Sequence, residues 1–134
     1  MELSARLAAA IEQIPGAVAI SVLGLDGVAV ETVAGAKPLV GTSQATLPGE
    51  ETLGPWELEL ADLMLNARRA ARSLNWGPLR HVTLEARDLL FLLQPLDADY
   101  VLLLALDRAA NATRARFELQ QLAAALAAAP DSAE

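Results

Sequence analysis

The chain contains no cysteine, and only one histidine and one lysine among its 134 residues. Without cysteine there are no disulfides, no thiolate metal sites and no cysteine nucleophile. His81 lies in an alternating stretch with no run of carboxylates around it and fits no metal-ligand spacing, so it reads as a surface or interface residue. Positive charge is also scarce: ten Lys and Arg against seventeen Asp and Glu give a formal net charge of −7. Neutralising phosphates requires clustered basic side chains, which argues against nucleic acid as a partner. No apolar run approaches the ~18 residues that span a bilayer; the strongest, Leu89 to Leu93, is strand-sized. The opening Met1-Glu2-Leu3-Ser4 lacks the basic and apolar regions of a signal peptide, so a cytoplasmic location without membrane insertion is expected.

Site motifs are missing as well. There is no G-x-S-x-G to support a serine nucleophile. Gly24-Leu25-Asp26-Gly27 lacks the G-K-[ST] ending of a phosphate loop and leads into a strand, so it reads as a turn. Glu57, Glu59 and Asp62 fit a solvated helix start better than a catalytic pair. The expectation is a protein that is not an enzyme, with no catalytic residue, no cofactor and no metal.

What is abundant is apolar sequence, 54% of the chain, above the usual ~45–50%. A single domain of this size buries roughly two-thirds of the surface of its unfolded chain. The excess therefore calls for a dense core or for a second subunit that covers part of the surface.

Leu3, Leu7, Ala10, Ile11 and Ile14 recur at helical spacing, predicting a first helix over about 3–14 that Pro15-Gly16 stops. Residues 17–23 and 28–33 read as a hairpin around Leu25-Asp26-Gly27. Residues 34–51, rich in Gly, Pro, Ser and Thr without periodicity, predict a long mobile loop. A second helix then opens with Pro55 at or near its first position. Its acidic residues come early and Arg68, Arg69 and Arg72 late, as the helix dipole favours. Asn75-Trp76-Gly77-Pro78 ends it. Three strands follow at 81–86, 89–94 and 100–106, joined by short turns, then a final helix over about 111–129 and a frayed tail at 130–134.

The order α-β-β-α-β-β-β-α, in one domain over 1–134, predicts an α+β fold with a mostly antiparallel sheet. Leu89–Leu93 and Val101–Leu106 are apolar at every position, so helices must cover both faces of the sheet. The stretch 81–86 alternates instead, with Val82, Leu84 and Ala86 on one side and His81, Thr83 and Glu85 on the other. That is the pattern of an edge strand with one side nearer water.

The helix end Ile14-Pro15-Gly16-Ala17-Val18, the hairpin Leu23-Gly24-Leu25-Asp26-Gly27, and the run Val82-Thr83-Leu84-Glu85 with Leu89-Leu90-Phe91-Leu92-Leu93-Gln94-Pro95-Leu96 resemble the Roadblock family of dynein light-chain-like proteins. The similarity extends from about Leu3 to Ala127 and is greatest to the short bacterial MglB-type members. It implies a five-stranded antiparallel sheet between one helix and a pair of helices. It also implies a homodimer, joined through the second helix and the third strand, that acts as a scaffold or stimulator for a small Ras-like GTPase.

On a helical wheel the second helix has a main apolar face of Trp56, Leu60, Leu63, Ala67, Ala70, Ala71 and Leu74, expected to meet the sheet. The opposite side carries Leu58, Ala61 and Leu65 with Arg69 and Arg72 nearby. These five, together with His81, Thr83 and Glu85 of the edge strand, form the expected dimer or partner interface. Phe117 lies off the core stripe of the last helix and is expected to pack against the first. The rival reading is a PAS-like small-molecule sensor, which needs an apolar pocket with a few convergent polar groups.

Overall fold

A computed structural model describes residues 2–25, 29–35 and 55–128. Its element order is α1 Leu3–Gln13, β1 Ala17–Gly24, β2 Ala29–Ala34, α2 Pro55–Ser73, β3 Val82–Glu85, β4 Leu89–Pro95, β5 Tyr100–Asp107 and α3 Ala112–Ala128. The order matches the sequence expectation element for element. The predicted mobile loop and frayed tail lie outside the described residues, save that Ala34 belongs to β2 and Gly35 follows it.

The strands form one antiparallel sheet in the order β2-β1-β5-β4-β3. β5, with Val101 to Leu106 all at 0% exposure, lies at its centre. Its alternate side chains serve opposite faces. Leu102, Leu104 and Leu106 join Leu3, Leu7 and Ile11 of α1 and Ala115, Leu119 and Leu126 of α3 in one core cluster. Val101, Leu103 and Ala105 join Leu60, Ala61 and Met64 of α2 in the other. Among the described residues the sheet thus lies between the α1–α3 pair and α2, because only helices on both sides can dry strands that are apolar at every position.

Local chemistry sets the ends of the elements. α1 stops at Ile14, where Pro15 follows and Gly16 takes φ +84°. An added Cβ at Gly16 would come within 2.6 Å of the Ala110 side chain, so the position needs glycine for both conformation and space. α2 ends on Asn75 at φ +59°, with the Asn75 N–H donating to Arg72 O at 3.2 Å and the Trp76 N–H to Ala71 O at 2.9 Å. This is the Schellman pattern, in which a left-handed residue lets two late carbonyls find donors. At α3 the Asn111 side chain accepts from the Arg114 N–H at 3.1 Å and caps the helix start.

Candidate functional site

The α2 side of the sheet carries the residues that the sequence singled out. α2 meets the sheet through Glu57, Leu60, Ala61 and Met64, and Ala71 is buried as well. Its exposed positions include Leu58, Glu59, Asp62, Asn66, Arg69, Arg72 and Ser73. Relative to the face expected from the wheel, the helix is turned by roughly 80°, at 3.6 residues per turn.

Several expectations are corrected by that turn. Ala61, expected on the outer stripe, is 4% exposed and packs in the α2-side core. Leu74 and Ala70, expected to meet the sheet, are exposed. Glu57, read as part of a solvated helix start, is 3% exposed. Leu58 stays on the outside at 53% exposure, and Leu65 is half-buried on the same flank. On the far side of the sheet Phe117 does not pack against α1; it is 56% exposed.

Glu57 is buried because the sheet offers it a partner. Thr32 Oγ1 on β2 donates to Glu57 Oε2 at 2.9 Å, and Ser21 Oγ on β1 lies 2.9 Å from Thr32 Oγ1. Ser21 Oγ also reaches Glu31 O at 3.2 Å. Hydrogen bonds to a carboxylate are among the stronger ones, which offsets the cost of drying the group. Farther along the helix, Arg68 donates through its two terminal nitrogens to the carbonyls of Asp97 and Ala98 in the β4–β5 turn. Two polar pins therefore hold α2 at its first turn and near its middle.

β3 ends the sheet order on one side, and its cross-strand partners fix which way it faces. Val82 opposes Leu93 and Leu84 opposes Phe91, both of the α2-side core, so Val82 and Leu84 face α2. Thr83 and Glu85 face the opposite way, as the alternation predicted. Leu84 is 37% exposed. Glu85 is ion-paired with Arg108 at 2.7 Å, an exposed contact of small energetic weight. His81 Nε2 lies 2.8 Å from Thr83 Oγ1. Its pKa falls below the ordinary 6.5 because burial disfavours the charged ring and Arg116 stands near it; Gln94 beside the ring opposes the shift.

The structure therefore divides the eight expected interface residues. Leu58, Leu65, Arg69 and Arg72 share the outer surface of α2, Ala61 drops into the core, and His81, Thr83 and Glu85 line the other side of the edge strand. Exposed apolar residues outside the expected interface lie at the C-terminal end of α2 and along β3: Leu74, Trp76 at 71% exposure, and Leu84. Trp76 had a signal, since an aromatic in an N-W-G-P turn after the helix stop has no place on the helix's core face. Among the described residues, no group of three or more His, Cys, Asp or Glu is placed to hold a metal ion. No described helix is long and apolar enough to cross a membrane.

No family model and no curated protein sequence matches the chain. Solved structures do. MglC from Myxococcus xanthus is 28% identical over 96% of this chain and 98% of its own, with a TM-score of 0.65. A Roadblock/LC7 domain from Streptomyces avermitilis superposes with a TM-score of 0.69 at 16% identity, over 94% of this chain and 95% of that one. Myxococcus xanthus MglB gives 0.68 at 12% identity, over 98% and 99%. With the sheet order, and with one helix on one face and a helix pair on the other among the described residues, these likenesses show that the chain has the fold of the Roadblock/LC7, MglB and MglC structures.

Proposed function

We propose that the chain is a homodimeric regulator or scaffold that binds a small Ras-like GTPase and modulates its nucleotide cycle or its location. The observation that carries this reading is the outer surface of α2: Leu58 and Leu65, seven residues apart on one flank, on the helix that, among the described residues, covers its side of the sheet. Leu74, Trp76 and Leu84 are further exposed apolar residues, at the C-terminal end of α2 and on β3. Apolar patches of this kind, rimmed by polar groups, mark interaction sites. The likeness to MglB and MglC supports the same family of functions.

Charge along α2 favours a second copy across this surface. Asp62 precedes Leu65 and Arg69 and Arg72 follow it, all three charged residues exposed. Two α2 helices crossing antiparallel near Leu65 set Asp62 of one copy beside Arg69 of the other, twice, while Leu65 meets its own symmetry mate. A twofold interface is self-complementary in this way. Each leucine removed from water contributes roughly 1.5–3 kcal/mol.

Sedimentation equilibrium at micromolar concentration tests the dimer. A mass of about twice 14.1 kDa is expected, and a clean monomer overturns it. For the partner, candidate Ras-like GTPases loaded with GTP or GDP are tested for binding and for hydrolysis rate with and without the chain. Capture that depends on the bound nucleotide, and that Leu58→Asp with Leu65→Asp removes, is the expected result. Equal capture of both nucleotide states by wild type and variant counts against the reading. The isolated chain is expected to bind neither GTP nor ATP in calorimetry.

A further inference from the structure

Across the sheet from α2, where α1 begins and α3 ends, lies a groove of about 360 Å³. Leu3, Val22, Val30, Leu96, Tyr100 and Leu126 line it. Its floor is dry, with Leu3, Val22 and Leu126 at 7% exposure or less, whereas Val30 at 41% and Tyr100 at 42% stand open at its rim. Val30 is there because the strand pairing slips. Val22 pairs with Glu31 and Leu23 with Ala29, which leaves Val30 unpaired in a bulge. Bulges re-aim side chains in this manner and often do so beside sites. Tyr100 is held by the β4–β5 turn, where Asp97 Oδ1 accepts the N–H groups of Asp99 at 2.8 Å and Tyr100 at 2.9 Å.

The rim is acidic. Asp97 lines the groove, and the exposed Asp99 and Glu2 adjoin lining residues in the chain. No cation occurs among the described lining residues; Arg68 reaches the same turn, but its two terminal nitrogens bond main-chain carbonyls. The chemistry that fits is an aromatic or aliphatic side chain carried next to a guanidinium.

The chain itself displays that combination. Phe117 points out from α3 at 56% exposure, with Arg116 beside it and Arg114 one turn before it, both exposed. One exposed phenylalanine is ordinary. An exposed phenylalanine with Arg114 and Arg116 on its N-terminal side and Glu118 after it, on a molecule that also carries an apolar groove rimmed by carboxylates, makes a pair in which the two arginines, and not Glu118, face the acidic rim. We propose that Phe117 of one copy seats in the Val30–Tyr100 groove of a second copy, with Arg114 and Arg116 facing Asp97 and Asp99. This contact lies on the opposite side of the sheet from α2 and does not depend on the reading given for that helix. A knob of one aromatic side chain buries ~150–250 Å², so the contact is of the weak class.

Two full-length variants test it by complementation: Phe117→Asp removes the knob, and Val30→Asp puts a carboxylate into the groove. Both positions are exposed, and the retained circular dichroism of each variant checks its fold. At about 100 μM and low salt, the weight-average mass of the wild type is expected to rise beyond the plateau set by the α2 surface. Each variant alone should lose that rise. An equimolar mixture should regain part of it, because the Val30→Asp chain still offers a knob and the Phe117→Asp chain still offers a groove. Repeating the series with Leu58→Asp and Leu65→Asp in every chain separates the two surfaces: the α2 plateau falls and the complementation stays. Absence of the rise in the wild type overturns the proposal, as does its persistence in either variant. A mixture that behaves like its two components overturns it as well, and capture of an outside peptide carrying an Arg-Phe pair without self-association assigns the groove to another occupant.

Discussion

The two faces of the sheet are held in different ways. On one, α1 and α3 interlock over Ile20, Leu90, Leu92, Leu102, Leu104 and Leu106 in an apolar cluster that also holds Ala115 and Ala123 of α3. On the other, α2 is the one described helix on Val101, Leu103 and Ala105; it contributes Leu60, Ala61 and Met64 to the contact and is fixed by Glu57 on Thr32 and Arg68 on the β4–β5 turn. Apolar packing is non-directional and serves stability. Polar pins are directional and fix where a helix sits. The face built for stability spends its leucines inward. The face built for position keeps Leu58 and part of Leu65 for something outside.

Replacing a leucine on the doubly covered face should have the largest effect on the fold. Leu119→Ala, at a position with 0% exposure, is expected to cost about 2–5 kcal/mol in chemical denaturation, independent of protein concentration. A loss below 1 kcal/mol would mean that α3 is not a packed member of the core.

Breaking the Glu57 pin should cost less but show where position is set. Thr32→Val leaves the buried carboxylate without its donor on β2 and is expected to cost about 1–3 kcal/mol. Amide exchange should rise in the first turns of α2 more than in α1 or α3. Uniform acceleration across all three helices would erase the contrast between the two faces.

The outer stripe should matter least to the fold and most to assembly. Leu58→Asp with Leu65→Asp is expected to change the stability of the isolated chain by little more than about 0.5 kcal/mol at the exposed Leu58. It should shift sedimentation to the monomer, because an unpaired carboxylate is costly to bury in a seam. A double variant that keeps the wild-type mass would make the stripe ordinary surface.

The smallest effect expected is that of His81. Burial and Arg116 lower its pKa below 6.5, so folding favours the neutral ring. The stability it supports is therefore complete above about pH 6.5 and declines as pH falls through that value toward the lower native pKa. NMR titration of the ring should show a midpoint below 6.5 that moves up in Arg116→Ala. A midpoint at or above 6.5 in the wild type would remove any pH dependence of this sign.

Element order, the antiparallel sheet and the burial of Leu89–Leu93 and Val101–Leu106 were legible in the residues themselves. A strand that is apolar at every position has only one kind of surrounding, and an alternating one such as Val82–Glu85 has only one kind of place. Helix termini at Pro15-Gly16 and Asn75 were legible for the same local reason: their backbone chemistry needs no distant partner.

What the sequence did not settle was rotation and partnership. On α2 the apolar residues spread over most of the circumference, so a wheel weighted by hydrophobicity placed Leu60 and Leu63 correctly but turned Ala70 and Leu74 inward and Ala61 outward. The fold chose Ala61, because a helix lying close on a sheet needs small side chains at the point of approach. It turned Glu57 inward as well, because Thr32, 25 residues earlier in the chain, stood ready to donate. Phe117 was left outside, since Leu119, Ala115 and Leu126 already filled the space over β4 and β5. Composition and periodicity determined which segments are helices and strands and how dry they must be, since those depend on neighbours in the chain. Only the tertiary structure decided which side of each helix is spent on the core, since that depends on partners the chain brings together from far apart.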